Sequence, residues 1–162
     1  MKDKNFLQNY LKEVSLKVIP NKENFEKILK IKNILLETKK KRKKVLIFGN
    51  GGSAAISSHV SVDLTKNTKI KVFNFNEADL LTCFSNDYGY EKWVEKTIDF
   101  YADKGDVVIL ISSSGKSKNM LNACKASRRN KISKIITFTG DKKNNPLSKL
   151  GDVNLWVDSN IY

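Results

Sequence analysis

Histidine occurs once in the 162 residues, at position 59, and arginine only at 42, 128 and 129, so the other basic residues are all lysine. Cysteine is limited to Cys83 and Cys124, too few and too isolated for a disulfide framework or a thiolate metal cluster. Proline stands only at 20 and 146, and no Gly- or Ser-rich linker divides the chain, which argues against a hinge between two domains. The expectation is one domain over 1–162. No stretch approaches the roughly 18 uninterrupted apolar residues of a membrane span. The opening Met1-Lys2-Asp3-Lys4-Asn5 lacks the apolar run of a signal peptide. These absences imply a cytoplasmic protein without a membrane partner.

Positive charge is what the chain has in excess, with a formal net charge of +13. Such a surface attracts nucleic acid, anionic lipid or phosphorylated metabolites. Bidentate recognition of phosphates and bases favours arginine, and its scarcity speaks against a DNA reader. The densest run, Lys39 to Lys44, falls where a helix ends and a strand begins. Cations there complement the negative end of the helix dipole, and a nucleic-acid patch is the alternative.

Two amphipathic helices open the chain as a hairpin over 1–42. Phe6, Leu7, Tyr10, Leu11, Val14 and Val18 mark the first, and Pro20-Asn21 breaks it. Phe25, Ile28, Leu29, Ile31, Ile34 and Leu35 give the second a stripe wide enough for more than one neighbour, either the sheet or another subunit. Beyond Lys44, short apolar runs at 45–48, 70–73, 107–111, 135–138 and 153–157 alternate with helical segments at 53–65, 77–84, 89–102, 117–130 and 145–150. Alternation of this kind predicts an α/β fold, a doubly wound parallel sheet of five strands in flavodoxin-like order. Ligands of such sheets bind beyond the carboxyl ends of the strands.

The loop after the first strand is Gly49-Asn50-Gly51-Gly52-Ser53-Ala54-Ala55, where glycines permit a tight turn and a helix start offers free N–H groups to an anion. A dinucleotide fingerprint is the rival reading, but it needs an acidic residue at the end of strand two, where Phe73-Asn74-Phe75-Asn76 stands and Glu77 comes late. After the third strand, Ser112-Ser113-Ser114-Gly115-Lys116-Ser117 sets four hydroxyls around a glycine at a helix start. Helix capping explains one hydroxyl, and phosphate binding explains all four. His59 and Asp63, four residues apart on one helix face, could move protons on a sugar or supply two ligands to zinc. Asn86-Asp87-Tyr88-Gly89 is a turn that interrupts a helical stretch and could reach the same crevice.

Taken together, G-N-G-G-S-A-A at 49–55, His59…Asp63, N-D-Y-G at 86–89 and S-S-S-G-K-S at 112–117 resemble the SIS (sugar isomerase) domain family, and within it the sedoheptulose-7-phosphate (phosphoheptose) isomerases. The resemblance implies a homotetramer that interconverts sedoheptulose 7-phosphate and a heptose 7-phosphate through an enediol, for bacterial surface-heptose synthesis. It implies that Ser53, Ser112, Ser113, Ser114 and Ser117 hold the phosphate and that Asn50 and Asp87 contact the sugar. The same resemblance adds Gly51, Gly52 and Asn86 to the expected binding set and makes His59 and Asp63 the expected catalytic pair, at a position where some members bind zinc.

The sequence departs from this family at two places. Asp63 stands where the family usually has glutamate, which retracts the carboxylate by roughly 1.5 Å. The family also continues into a helix bearing a glutamine or glutamate and a histidine, whereas this sequence stops at Ser159-Asn160-Ile161-Tyr162. Ser159 and Asn160 are N-cap residues, so the expectation is that the natural protein continues for one more helix. A non-catalytic SIS module that binds a sugar phosphate or a partner protein is the alternative function, and a DNA-binding regulator is a remoter one.

Overall fold

The computed structural model describes residues 2–159. Its elements are α1 (Lys2–Val18), α2 (Lys22–Lys40), β1 (Lys44–Gly49), α3 (Gly52–Thr68), β2 (Lys71–Phe73), α4 (Ala78–Tyr88), α5 (Trp93–Tyr101), β3 (Val107–Ser112), α6 (Lys118–Arg129), β4 (Lys134–Thr139), a 3-10 turn (Leu147–Lys149) and β5 (Val153–Trp156). All five strands are parallel, in the order β2-β1-β3-β4-β5. This is the doubly wound, flavodoxin-like order expected from the sequence.

The central strands β1 and β3 and Ile135 and Ile136 of β4 are apolar on both faces because successive side chains alternate between two helical layers, whereas edge strand β2 exposes Lys71 and Phe73. Leu46, Phe48, Val108, Leu110 and Ile135 point to one side, where Trp93, Val94 and Ile98 of α5 and Met120 and Ala123 of α6 cover them. Val45, Ile47, Val107, Ile109 and Ile136 point to the other, against Ile31, Ile34 and Leu35 of α2 and Val60 and Leu64 of α3. Two of the three arginines are spent on this frame. Arg128 forks onto Asp152 at 3.0 and 3.2 Å, and Arg129 meets Asp99 at 2.8 Å and Glu95 at 3.1 Å.

The helical hairpin divides its duties. Asn21 caps α2 by accepting the Asn24 N–H at 2.8 Å, and the Asn24 side-chain amide donates to the Trp156 carbonyl at 3.0 Å. By contrast, every residue of α1 from Asp3 to Val18 except Lys17 is exposed. So α2 covers the sheet and α1 does not. One expectation shifts by a turn. Asn86, Asp87 and Tyr88 form the last turn of α4, and the break falls at Gly89–Lys92. Gly89, at φ 87° and ψ 144°, ends the helix in a backbone region that is open to glycine and closed to residues with a side chain. Asn160, the expected start of a further helix, lies outside the described residues. Among the described residues no helix is long and apolar enough to cross a membrane.

Candidate functional site

The loops after β1 and β3 lie side by side, since these two strands are neighbours paired from Val45↔Val107 to Gly49↔Ile111. Their following helices, α3 and α6, pack on opposite faces, so the crevice between the loops is the topological switch point of the sheet. At Gly49 an added Cβ would sit 2.4 Å from the Ser53 backbone carbonyl, which lets the first turn of α3 close directly onto the strand end. Neither helix start is capped by a side chain. Ser117 occupies the N-cap position of α6, yet its hydroxyl lies 3.3 Å from that of Ser112 rather than on a helix N–H. The capping alternative for this serine is therefore not realised. Two helix N-termini with unspent N–H groups and a paired set of hydroxyls form an anion cradle.

The serine loop is braced from below. Gly115 adopts φ 62°, and an added Cβ there would stand 2.0 Å from Asn145 Oδ1. Asn145 is buried; its amide donates to the Lys142 carbonyl at 2.9 Å and its Oδ1 accepts the Ser148 N–H at 2.8 Å. The Leu147 N–H donates to the Gly115 carbonyl at 3.0 Å. Lys116 and Lys118 flank the loop on its exposed side and add positive charge, with no ion partner among the described residues.

Across the crevice, Asn50 and Asn119 exchange two amide hydrogen bonds, 3.1 Å from Asn50 Nδ2 to Asn119 Oδ1 and 2.8 Å in return. Tyr90 adds its hydroxyl to Asn50 Oδ1 at 3.1 Å, and Asn122 Nδ2 ties the Glu91 carbonyl to α6 at 3.0 Å. These contacts bring the 86–91 segment beside the site. Asp87 itself is exposed, accepting from Asn86 Nδ2 at 3.0 Å. Its charge, with Cys83 Sγ 3.6 Å away, raises the Cys83 thiol above its ordinary value.

His59 Nε2 and Asp63 Oδ2 are 3.3 Å apart, and their side chains are 80% and 54% exposed. Both sit on the outer face of α3, and His59 lies six residues, roughly 9 Å of helix rise, beyond Ser53. The structure thus joins Asn50, Gly51, Gly52, Ser53 and the Ser112–Ser117 loop, and sets His59 and Asp63 apart on the solvent side. Two donors are half of a tetrahedral zinc set. Among the described residues no group of three His, Cys, Asp or Glu side chains converges. They do not by themselves make a zinc centre.

The crevice opens into a cleft of about 510 Å³ on the α3 side of the sheet. Ser53, Ser113, Ser114 and Asp141 give it a polar rim, and Ile56, Ile111, Phe138 and Leu155 an apolar wall. Glu77, the residue a dinucleotide site would need on β2, instead precedes α4 as its N-cap, and Asn76 donates to the Ala54 carbonyl and to Ser58 Oγ, each at 2.8 Å.

The SIS domain family matches residues 9–140. The chain belongs to that family. Phosphoheptose isomerase of Aliarcobacter butzleri is 37% identical over 141 residues, covering 83% of this chain and 74% of the relative. Phosphoheptose isomerase of Helicobacter pylori is 33% identical over 144 residues, covering 85% and 74%. The solved structure of phosphoheptose isomerase GmhA from Neisseria gonorrhoeae superposes with a TM-score of 0.83 at 24% identity, over 96% of this chain and 85% of that one. In this SIS domain, Asn119, Tyr90 and Asn145 are the site residues that sequence reasoning missed. Asn119 follows Ser117 by two positions in the first turn of α6, but its partner is 69 residues away, and no local pattern marks that pairing.

Proposed function

We propose that this SIS domain is an aldose–ketose isomerase that converts sedoheptulose 7-phosphate to a heptose 7-phosphate. The observation that carries the reading is the switch-point cradle, two uncapped helix N-termini flanked by Ser53 and the Ser112–Ser117 loop, in a chain related to phosphoheptose isomerases along most of its length. The cradle suits a phosphate dianion, because N–H groups and hydroxyls can donate to its oxygens without carrying charge of their own. The sugar then extends along the crevice past Asn50. Isomerisation through an enediol needs a base to take a proton beside the carbonyl and an acid to return it to the next carbon. His59 and Asp63 are the residues of this chain assigned to that work.

Their exposure accords with a site completed in an assembly. Phe6, Leu7, Tyr10 and Leu11 of α1 and Ile56 and Val62 of α3 are also exposed, and burial in a homotetramer would remove that apolar surface from water. Light scattering at micromolar concentration tests the tetramer, and a monomer would refute it. A cytoplasmic location and a role in surface-heptose synthesis belong to the same proposal. Replacing Ser112 and Ser114 together with alanine should weaken sedoheptulose 7-phosphate at least tenfold by calorimetry, since each bond to a charged phosphate contributes about 1.5–3 kcal/mol. Unchanged affinity would refute the phosphate assignment.

The separation of His59 and Asp63 from the serine loop also favours a second reading, a module that binds the sugar phosphate without turning it over. Conversion of sedoheptulose 7-phosphate followed by proton NMR separates the two: the isomerase incorporates solvent deuterium beside the carbonyl, and the binding module does not.

A further inference from the structure

The side-chain hydrogen bonds of Asn50 form a closed set with Asn119 and Tyr90. Asn119 is 2% exposed, and its Oδ1 accepts the Met120 backbone N–H at 3.0 Å. That N–H also donates to the Ser117 carbonyl at 3.0 Å, and a flipped Asn119 amide would turn its own N–H groups against this shared donor, so the backbone favours the orientation with Oδ1 towards it. Oδ1 of Asn119 therefore faces Asn50 Nδ2 at 3.1 Å, and Nδ2 of Asn119 faces Asn50 Oδ1 at 2.8 Å. The second lone pair of Asn50 Oδ1 takes the Tyr90 hydroxyl at 3.1 Å. An amide oxygen has two lone pairs and an amide nitrogen two hydrogens. Both lone pairs of Asn50 and one of its hydrogens are consumed, and a single Nδ2–H has no partner among the described residues.

We infer that Asn119 and Tyr90 are positioning residues that make Asn50 a one-hydrogen donor, aimed at the substrate oxygen that gains charge when the carbonyl becomes an enediolate. The inference rests on the isomerase reading. An unconstrained asparagine can offer either end of its amide, and half its orientations would present a lone pair to a developing oxyanion. Asn50 cannot do so, because its oxygen is saturated and its plane is held by a doubly bonded partner rooted in the first turn of α6. A neutral donor held in place before reaction helps most where charge develops, because nothing must reorient at the transition state. No proton leaves Asn50. The proton removed from carbon goes to the base, and the electron pair moves to the carbonyl oxygen that Asn50 contacts.

The experiment has two arms on the full chain. In the first, 15N-edited NMR follows the Asn50 side-chain amide, with Asn50→Asp used to assign it. The inference expects one slowly exchanging and one rapidly exchanging hydrogen, with both rapid in Asn119→Ala. Two equally rapid hydrogens in the unaltered protein would overturn it. In the second arm, Asn119→Ala should lower kcat at least tenfold with KM within threefold, and Tyr90→Phe should lower kcat less, by about two- to fivefold. Inorganic phosphate should compete equally well in all three proteins, because the serine loop is untouched. A rise in KM with kcat intact, or loss of phosphate competition, would overturn the positioning role and indicate a collapsed loop instead. Absence of turnover in the unaltered protein would refute the isomerase reading and the enediolate contact together, and the exchange arm alone would then decide whether Asn50 is a locked donor.

Discussion

Gly115→Ala is the substitution whose outcome follows most directly from the geometry. The new methyl carbon would stand 2.0 Å from Asn145 Oδ1 and 2.3 Å from its Cγ, well inside contact distance. Gly115 also holds φ 62°, and placing an L-residue there costs about 1–2 kcal/mol. Asn145 cannot yield freely, since it is buried and bonded to the Lys142 carbonyl and the Ser148 N–H. Displacing it forfeits two hydrogen bonds of about 0.5–1.5 kcal/mol each. The combined loss is about 2–5 kcal/mol, and for a domain of this size that lowers Tm by roughly 5–15 °C. Gly52→Ala is the matched control, because its added Cβ meets nothing within 4 Å and needs no left-handed backbone. Its Tm should hold or rise by about 1–3 °C. Differential scanning calorimetry on both variants reads the contrast. A Gly115→Ala protein that melts within about 2 °C of the unaltered one would refute the argument that Asn145 braces the serine loop.

Cys83 and Cys124 should differ sharply towards alkylating reagents: burial pushes the Cys124 thiol up to about 12, so mass spectrometry of the native protein should find label on the exposed Cys83 alone, and slowly, because Asp87 disfavours its thiolate. Label on Cys124 at the rate seen in denaturant would contradict its buried position. Acid stability gives another check, through Asp152. Burial raises its carboxyl, but the Ile135 N–H at 2.7 Å and Arg128 outweigh that and hold it below the ordinary aspartate value. Its contribution is therefore complete above about pH 4, the unfolded value, and is lost as pH falls through the lower folded one. Urea unfolding between about pH 5 and pH 3 should show stability falling less steeply in Asp152→Asn than in the unaltered protein, and equal slopes would refute the assignment.

The strands were legible because a parallel strand covered on both faces must be apolar throughout, and Val45–Phe48 and Val107–Ile111 are apolar at every position. The two loops were legible for a related reason. Glycine and clustered serine at a strand-to-helix junction are local chemistry, and the junction itself supplies the anion site. What sequence could not decide were contacts between residues far apart in the chain. Asn50 with Asn119, Tyr90 with Asn50, and Gly115 with Asn145 are each set by which strands and helices become neighbours. The end of α4 was misplaced for a similar reason. Asn86 and Asp87 favour turns in isolation, yet the helix continues through them until Gly89 ends it. The tertiary structure likewise decided that α1 leaves its apolar side chains exposed and that His59 and Asp63 face outwards. Periodicity reports that a helix has an apolar face, or that two residues share one, but only packing determines what that face meets.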